Sequence, residues 1–402
     1  MPLPESRGLF GAHFMIQTSD TQATPPGPGA LPPDWLVAEL ADAGGWLCWR
    51  RVMELALYRP GSGYYSGSPR TLGRGGDFYT SVSVGGLFGG LLREFAVGEW
   101  RRQGEPAEFV LAEQGAHDGS LMRDLLAAGI PGLDAPEAFH RALRVCIVEP
   151  QPGYREAQRA TLQGLGHAPA WLDSIDLLPA SPGLLVCNEL LDALPVHLLR
   201  WDGVRWRELG VSLDATGSST WEPRAITDPR LEAEAARFPA DLPEGHLAEV
   251  GLDALDWLRA LGASPFQGTV CLLDYGLEEA EFFAPERAEG TLRRYRDHRM
   301  DGDILRDLGE CDLTCHVNFT RLIEEAKRAG FETAAHSRQG AWLTQVAEEW
   351  LRRLEQPGAA ALWTPALMRQ FQTLTHPGLM GASFRALVLR RRGAPGEGPP
   401  GV

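Results

Sequence analysis

Short unbroken apolar runs alternate along the chain with longer segments of helical spacing. Phe109-Val110-Leu111-Ala112, Val145-Cys146-Ile147-Val148, Leu184-Leu185-Val186-Cys187 and Val270-Cys271-Leu272-Leu273 are too short for buried helices. They read as strands covered on both faces, as in a parallel sheet between two helical layers. Each run ends in polar residues: Glu113-Gln114, Glu149, Asn188-Glu189 and Asp274-Tyr275. In a parallel sheet such carboxyl ends share one edge, where open α/β folds bind ligands. Phe384 to Arg390 alternates as a closing strand. Val84 to Trp100 and Leu121 to Ala128 read as helices flanking the first strand, and Trp35 to Tyr58 as one or two helices stopped by Pro60-Gly61. Val196 to Leu209 reads as a hairpin turning at Asp202-Gly203. The expected organisation is a flexible leader over 1–33, a helical and glycine-rich region over 34–108, a core over 109–392 with an insertion at about 197–266, and a loose tail over 393–402.

The first strand gives way to Gly115-Ala116-His117-Asp118-Gly119 and then to a helix. Gly115 permits a sharp turn, Gly119 lets backbone approach a ligand, and the first N–H groups of the helix face it. Glu149, ending the second strand, stands where a ribose diol would be held. The dinucleotide fingerprint asks for three glycines where this turn has two, and the Lys and hydroxyl of a phosphate-gripping loop are missing. An adenosine with a non-phosphate tail fits better, against the alternative of a plain strand-to-helix connection. His117 reads as a backbone-bonded turn residue and Asp118 as a helix N-cap.

Asn188-Glu189-Leu190-Leu191-Asp192 follows the third apolar run. Two carboxylates three residues apart face one pocket if a helical turn follows, and would fix a guanidinium by bidentate hydrogen bonds with one nitrogen aimed at an electrophile. The alternative is that Asp192 caps the next turn and Glu189 accepts backbone amides. Gly73 to Ser81, including Gly76, Asp77 and Phe78, reads either as a loop over the site or as surface turns with aromatic staples. Tyr295, His298, Asp312, Thr314 and His316 form a polar cluster suited to lining a site or to ordering a loop.

Composition narrows the class. With 402 residues, 44% of them hydrophobic, the chain can bury a large core. A formal charge of -15 excludes nonspecific nucleic-acid binding, which needs a basic surface. Cys146, Cys187 and Cys271 lie in apolar runs, as small buried hydrophobes of a reducing compartment. Cys311, Cys315 and His316 lack a second ligand pair of zinc spacing, so no metal is expected. Without a spanning apolar run or a secretory signal, the reading is a cytoplasmic protein with no membrane insertion.

In order, these motifs resemble the MidA-like family of S-adenosylmethionine-dependent methyltransferases. The resemblance runs from about Leu47 to the final strand and is carried by Gly61-Ser62-Gly63-Tyr64-Tyr65, Gly76-Asp77-Phe78-Tyr79-Thr80-Ser81, Glu113 to Leu121, Asn188 to His197, Trp206-Arg207-Glu208, Asp274-Tyr275-Gly276, Asp312-Leu313-Thr314 and His316 to Phe319. It implies an α/β class I methyltransferase fold: Rossmann-like, with a seven-stranded, mostly parallel sheet, N-terminal helical elements and inserted β elements. It implies S-adenosyl-L-methionine as cofactor, held by Glu113, Gly115, Gly119 and Glu149 beneath the loop of Gly76, Asp77 and Phe78. Asn188, Glu189 and Asp192 would border donor and acceptor, with Glu189 and Asp192 catalytic. The implied acceptor is an accessible arginine of a protein substrate. Ala116-His117-Asp118 stands where the family has Pro-Gly-Arg, and Val82-Ser83-Val84 where it has Pro-Glu-Ile. The competing readings are a catalytically silent scaffold of the same fold, favoured by the altered turn, and a nicotinamide oxidoreductase, disfavoured by the missing third glycine.

Overall fold

The computed structural model describes residues 31–67, 69, 80–127, 134–296, 299–356 and 362–393. The leader to residue 30 and the tail from 394 lie outside them. Seven strands cross the centre: β1 (Phe109–Gln114), β2 (Leu143–Val148), β3 (Ala170–Leu172), β4 (Gly183–Asn188), β5 (Thr269–Leu277), β6 (Phe331–Arg338) and β7 (Phe384–Arg391). Their order is β6-β7-β5-β4-β1-β2-β3, and the short strand Val317–Asn318 lies along the end of β5. β1 to β5 run parallel, whereas β7 is antiparallel to both its neighbours.

Side-chain alternation within the apolar runs builds the layers. Phe109, Leu111, Val145, Ile147, Leu184 and Val186 face the helices Leu87–Arg102, Ser120–Leu126 and Glu137–Ala142. Their neighbours Val110, Ala112, Cys146, Leu185 and Cys187 face Leu252–Ala263 and Phe319–Arg328. Burying each Val, Leu, Ile or Phe among them stabilises by roughly 1.5–3 kcal/mol. Helix Leu252–Ala263 thus belongs to a layer of the central sheet, although it falls within the range read as an insertion.

A second, five-stranded sheet is made of Leu47–Cys48, Trp206–Leu213, His197–Trp201, Leu247–Val250 and Ser219–Arg224. The hairpin is as expected, but its loop is four residues, closed by Asp202 N–H donating to Arg205 O at 3.0 Å, with Gly203 at φ 88°. The N-terminal reading resolves into two helices, Asp34–Asp42 and Trp49–Tyr58, joined through the Leu47–Cys48 strand. Leu36, Trp49, Val52 and Leu57 pack with Leu198, Leu209, Val211 and Leu313 in one cluster. This cluster sets the N-terminal helices beside the segment that leaves β4.

Candidate donor and acceptor site

The turn after β1 uses three left-handed residues: Gly115 (φ 81°), His117 (φ 46°) and Gly119 (φ 86°). A Cβ on Gly115 would meet Leu190 Cδ1 at 3.4 Å, and one on Gly119 would meet Gln158 Cα at 3.3 Å. His117 takes a left-handed conformation where the family's middle glycine stands, at a cost of about 1–2 kcal/mol, and its ring packs edge-on against Tyr154. Its carbonyl accepts from Gln158 Nε2 at 3.0 Å, which supports the turn-residue reading. Asp118 Oδ1 accepts from Ser120 N–H at 3.0 Å, but Gly119 occupies the N-cap position, so Asp118 acts from one residue further out.

Glu113 and Glu149 leave neighbouring parallel strands. Glu149 Oε1 accepts from Gln151 N–H at 2.8 Å, its Oε2 accepts from Gln158 Nε2 at 3.3 Å, and Trp171 Nε1 fixes the same Gln158 at 2.8 Å. The carboxylate is held rigidly with lone pairs to spare. Burial pushes its pKa up. Glu113 is more deeply enclosed: burial, then the charge of Asp118, drive it up to about 8 against the Met122 amide. Its Oε2 is buried without a partner among the described residues, as is Asn188 Oδ1 at the end of β4. Buried acceptors left unpaired beside a glycine turn suit a ligand that brings donors, such as the amino group of an amino-acid tail.

The helical turn expected after Asn188 is not formed. Glu189 takes φ 54° and the chain bends through Asp192-Ala193 to Pro195. The bend is imposed by Asp274 of β5, whose Oδ2 accepts the N–H groups of Leu190 (3.1 Å) and Leu191 (2.7 Å). Asp274 therefore performs the capping that the alternative reading gave to Asp192. Glu189 and Asp192 still reach one cluster. Glu189 Oε1 accepts from Asn188 Nδ2 at 2.9 Å and Ser81 N–H at 3.3 Å. Burial, together with the Asp274 charge, lifts Glu189 to about 8. Burial pushes Asp274 up against the backbone amides it accepts, and burial with the charges of Asp274 and Glu189 pushes Asp192 up as well. Asp312 adds its charge to Asp192 and Glu189, and Tyr275 and Tyr295 lie within the same field. Among the described residues no ion pair joins Glu189, Asp192 or Asp274 to a basic side chain.

Gly76, Asp77, Phe78 and His298 lie outside the described residues. The polar downstream cluster divides: Asp312 joins the acids, whereas His316 stacks on Tyr275 at 6.4 Å. Sequence reasoning gave no role to Asp274, noted as a strand end and within a family motif, or to Tyr58 and Tyr65 of the N-terminal segment. Elsewhere, Cys48, His197 and Glu208 offer donor atoms within 4.8 Å of one another, with His197 Nδ1 and Glu208 Oε1 already hydrogen-bonded at 2.7 Å.

Residues 91–337 match the model of a family described as "Putative S-adenosyl-L-methionine-dependent methyltransferase". The chain belongs to this family. A crystal structure from Burkholderia thailandensis bound to S-adenosyl-homocysteine is 32% identical, covers 89% of this chain and 91% of its own, and superposes with a TM-score of 0.78. The mitochondrial protein arginine methyltransferase NDUFAF7 homolog of Drosophila melanogaster is 28% identical over 84% of this chain and 80% of its own length. The NDUFAF7 of Xenopus tropicalis is 28% identical over 68% of this chain, which spans 66% of that relative. The methyltransferase is therefore S-adenosylmethionine-dependent, with the mixed α/β sheet of its structural relatives. The cytoplasmic reading is overturned, since the named relatives are mitochondrial. It had rested on a missing secretory signal and on reduced cysteines, which do not distinguish cytosol from organelle. No helix among the described residues is long and apolar enough to cross a membrane.

Proposed function

We propose that this methyltransferase acts on an arginine nitrogen of a protein substrate, with the donor at the β1 and β2 ends and the guanidinium at the β4 end. The observation that carries the reading is the buried group of Glu189, Asp192, Asp274 and Asp312, in which the first three have no basic side-chain partner among the described residues. A planar cation with paired N–H donors is the chemistry that such carboxylates recognise. The strand order β3-β2-β1-β4-β5-β7-β6 supports our reading of a class I arrangement. We also assign 34–108 as an N-terminal region and 109–392 as the core, with the insertion ending before helix Leu252–Ala263, which packs on the central sheet.

S-adenosylmethionine supplies an electrophilic methyl carbon on a sulfonium and leaves as the thioether. Glu113 and Asn188 would accept from the amino-acid tail, Glu149 from the ribose hydroxyls, and Gly115 and Gly119 would admit the ligand against the backbone. Glu189 and Asp192 would fix the guanidinium plane so that one nitrogen lone pair meets the methyl carbon in line. The nitrogen's proton would then pass to the Glu189 carboxylate, which the bound guanidinium would keep ionised although burial holds the acid at about 8 in the empty pocket. The related arginine methyltransferases named above support the acceptor class.

The test is titration calorimetry with S-adenosylmethionine, S-adenosylhomocysteine and NAD, followed by transfer of labelled methyl to arginine peptides, with lysine peptides as control. Binding of the sulfur nucleosides with labelling of arginine only is expected. Donor binding without transfer would favour the scaffold, and NAD binding the oxidoreductase.

A further inference from the structure

The bend from Glu189 to Val196 has little internal hydrogen bonding and is fixed by three distant segments. Asp274 holds its first amides, Cys315 N–H donates to Asp192 O at 2.9 Å, and the Tyr58 hydroxyl donates to Ala193 O at 2.8 Å. Tyr58 ends the helix Trp49–Tyr58, and the Gly61-Ser62-Gly63-Tyr64-Tyr65 motif folds back onto that end. Tyr64 N–H donates to Ala56 O at 2.9 Å and Tyr65 N–H to Leu57 O at 2.7 Å. Gly63 is required for this reversal, because a Cβ there would meet Arg59 N at 2.5 Å and Leu57 O at 2.8 Å. The reversal stacks Tyr65 on Tyr58, with centroids 5.7 Å apart, and brings the Tyr65 hydroxyl to Asp312 Oδ1 at 2.9 Å. Asp312 is itself buried and is one of the four acids.

We propose that Tyr58 and Tyr65 are positioning residues of the acceptor pocket: the Gly-Tyr-Tyr reversal is a brace that sets Asp192 through the Ala193 carbonyl and sets Asp312 directly. The inference rests on the acceptor reading above. Tyrosine suits the task because its rigid ring carries a hydrogen bond across a packed interface with only two torsions to order. The brace touches the bend and an acid but none of the residues assigned to the donor. Its removal should therefore separate acceptor handling from donor binding.

The experiment uses the full chain saturated with S-adenosylhomocysteine and the variants Tyr58→Phe and Tyr65→Phe, which keep the rings. Loss of a neutral buried hydrogen bond should speed amide exchange across 188–197 by about three- to tenfold in Tyr58→Phe, with 113–119 unchanged. S-adenosylhomocysteine affinity should stay within about twofold, while KM for an unmethylated arginine peptide, measured separately with S-adenosylmethionine as donor, rises by about three- to tenfold in either variant. Unchanged exchange at 188–197 together with unchanged KM overturns the proposal. So does an equal loss of donor affinity and of protection across the chain, which marks a purely structural role. If the wild type labels no arginine peptide yet Tyr58→Phe loosens only 188–197, the acceptor reading fails and the brace stands.

Discussion

Donor binding should release a proton, and the release should trace to Glu113. Burial holds this carboxyl at about 8, so at pH 7 about nine-tenths of free molecules carry its proton. An ammonium group brought against it lowers the pKa by about 1–3 units, to roughly 5–7. Binding at pH 7 then releases roughly 0.4–0.9 proton, and release fades by pH 9, where the free carboxyl is already ionised. Titration with S-adenosylhomocysteine in phosphate and in Tris measures this, because the observed enthalpy shifts by the released protons times the difference in buffer ionisation enthalpy. Glu113→Gln keeps the shape without the proton, so the ligand's own titration cancels between the two proteins. The variant should release none and bind about 10–100-fold more weakly, the loss of a charge-assisted hydrogen bond. Equal proton release from wild type and variant would refute the placement of Glu113 against the donor's amino group.

The remaining predictions concern the turn, the bend and pH. Gly115→Val forces a β-branched residue to φ 81° and presses on Leu190, so it should lower S-adenosylhomocysteine affinity at least about tenfold while costing about 1–2 kcal/mol in urea unfolding; unaltered affinity would remove the turn from the site. Asp274→Ala strips the acceptor from two backbone amides and should cost about 2–4 kcal/mol, whereas Asp192→Ala should stay within about 1 kcal/mol of wild type yet lose arginine labelling; equal destabilisation by both would refute the division of labour. Glu113 and Glu189 keep in the native state, up to about pH 8, protons that the unfolded chain loses near its ordinary carboxyl pKa. Their stabilisation is complete at low pH and is lost as pH rises through about 8. His316, pushed down to about 4 by burial, acts oppositely but only below its ordinary value of 6.5. Urea-derived stability should thus fall by about 2 kcal/mol or more from pH 6.5 to 8.5, and a rise across that window would contradict the burial of these acids.

The strand, turn and helix proposed to hold the donor were legible in the chain because their geometry is local. A strand, a glycine turn and a helix are contiguous, and the left-handed positions at Gly115 and Gly119 follow from residue type. The acid ending β2 falls on the ligand edge once the sheet is parallel. The core strands were legible for a related reason, since burial on both faces leaves unbroken apolar runs. β6 was not: only Phe331 of Phe331–Arg338 is buried, the strand carries Glu332, His336 and Ser337, and it lies at the sheet edge, where no apolar period is demanded. Three-residue β3 is too short to show a period.

The acceptor side is different in kind. Sequence placed Glu189 and Asp192 after β4 and brought two acids together, but it could not choose between a helical turn and a bend. That choice belongs to Asp274, more than eighty residues away, which claims the amides that a helix would have used. Asp312 and the two tyrosines enter only when the N-terminal helices pack on the second sheet through Trp49, Leu198 and Leu209. What the chain alone determined was the buried core strands, the glycine turn and the sheet edge where the strand-end acids gather, because periodicity and glycine conformation are properties of neighbouring residues. Tertiary structure decided which carboxylates meet, which of them serves the backbone and which are left for a substrate, because each choice depends on hydrogen bonds between segments that only the packed core brings together.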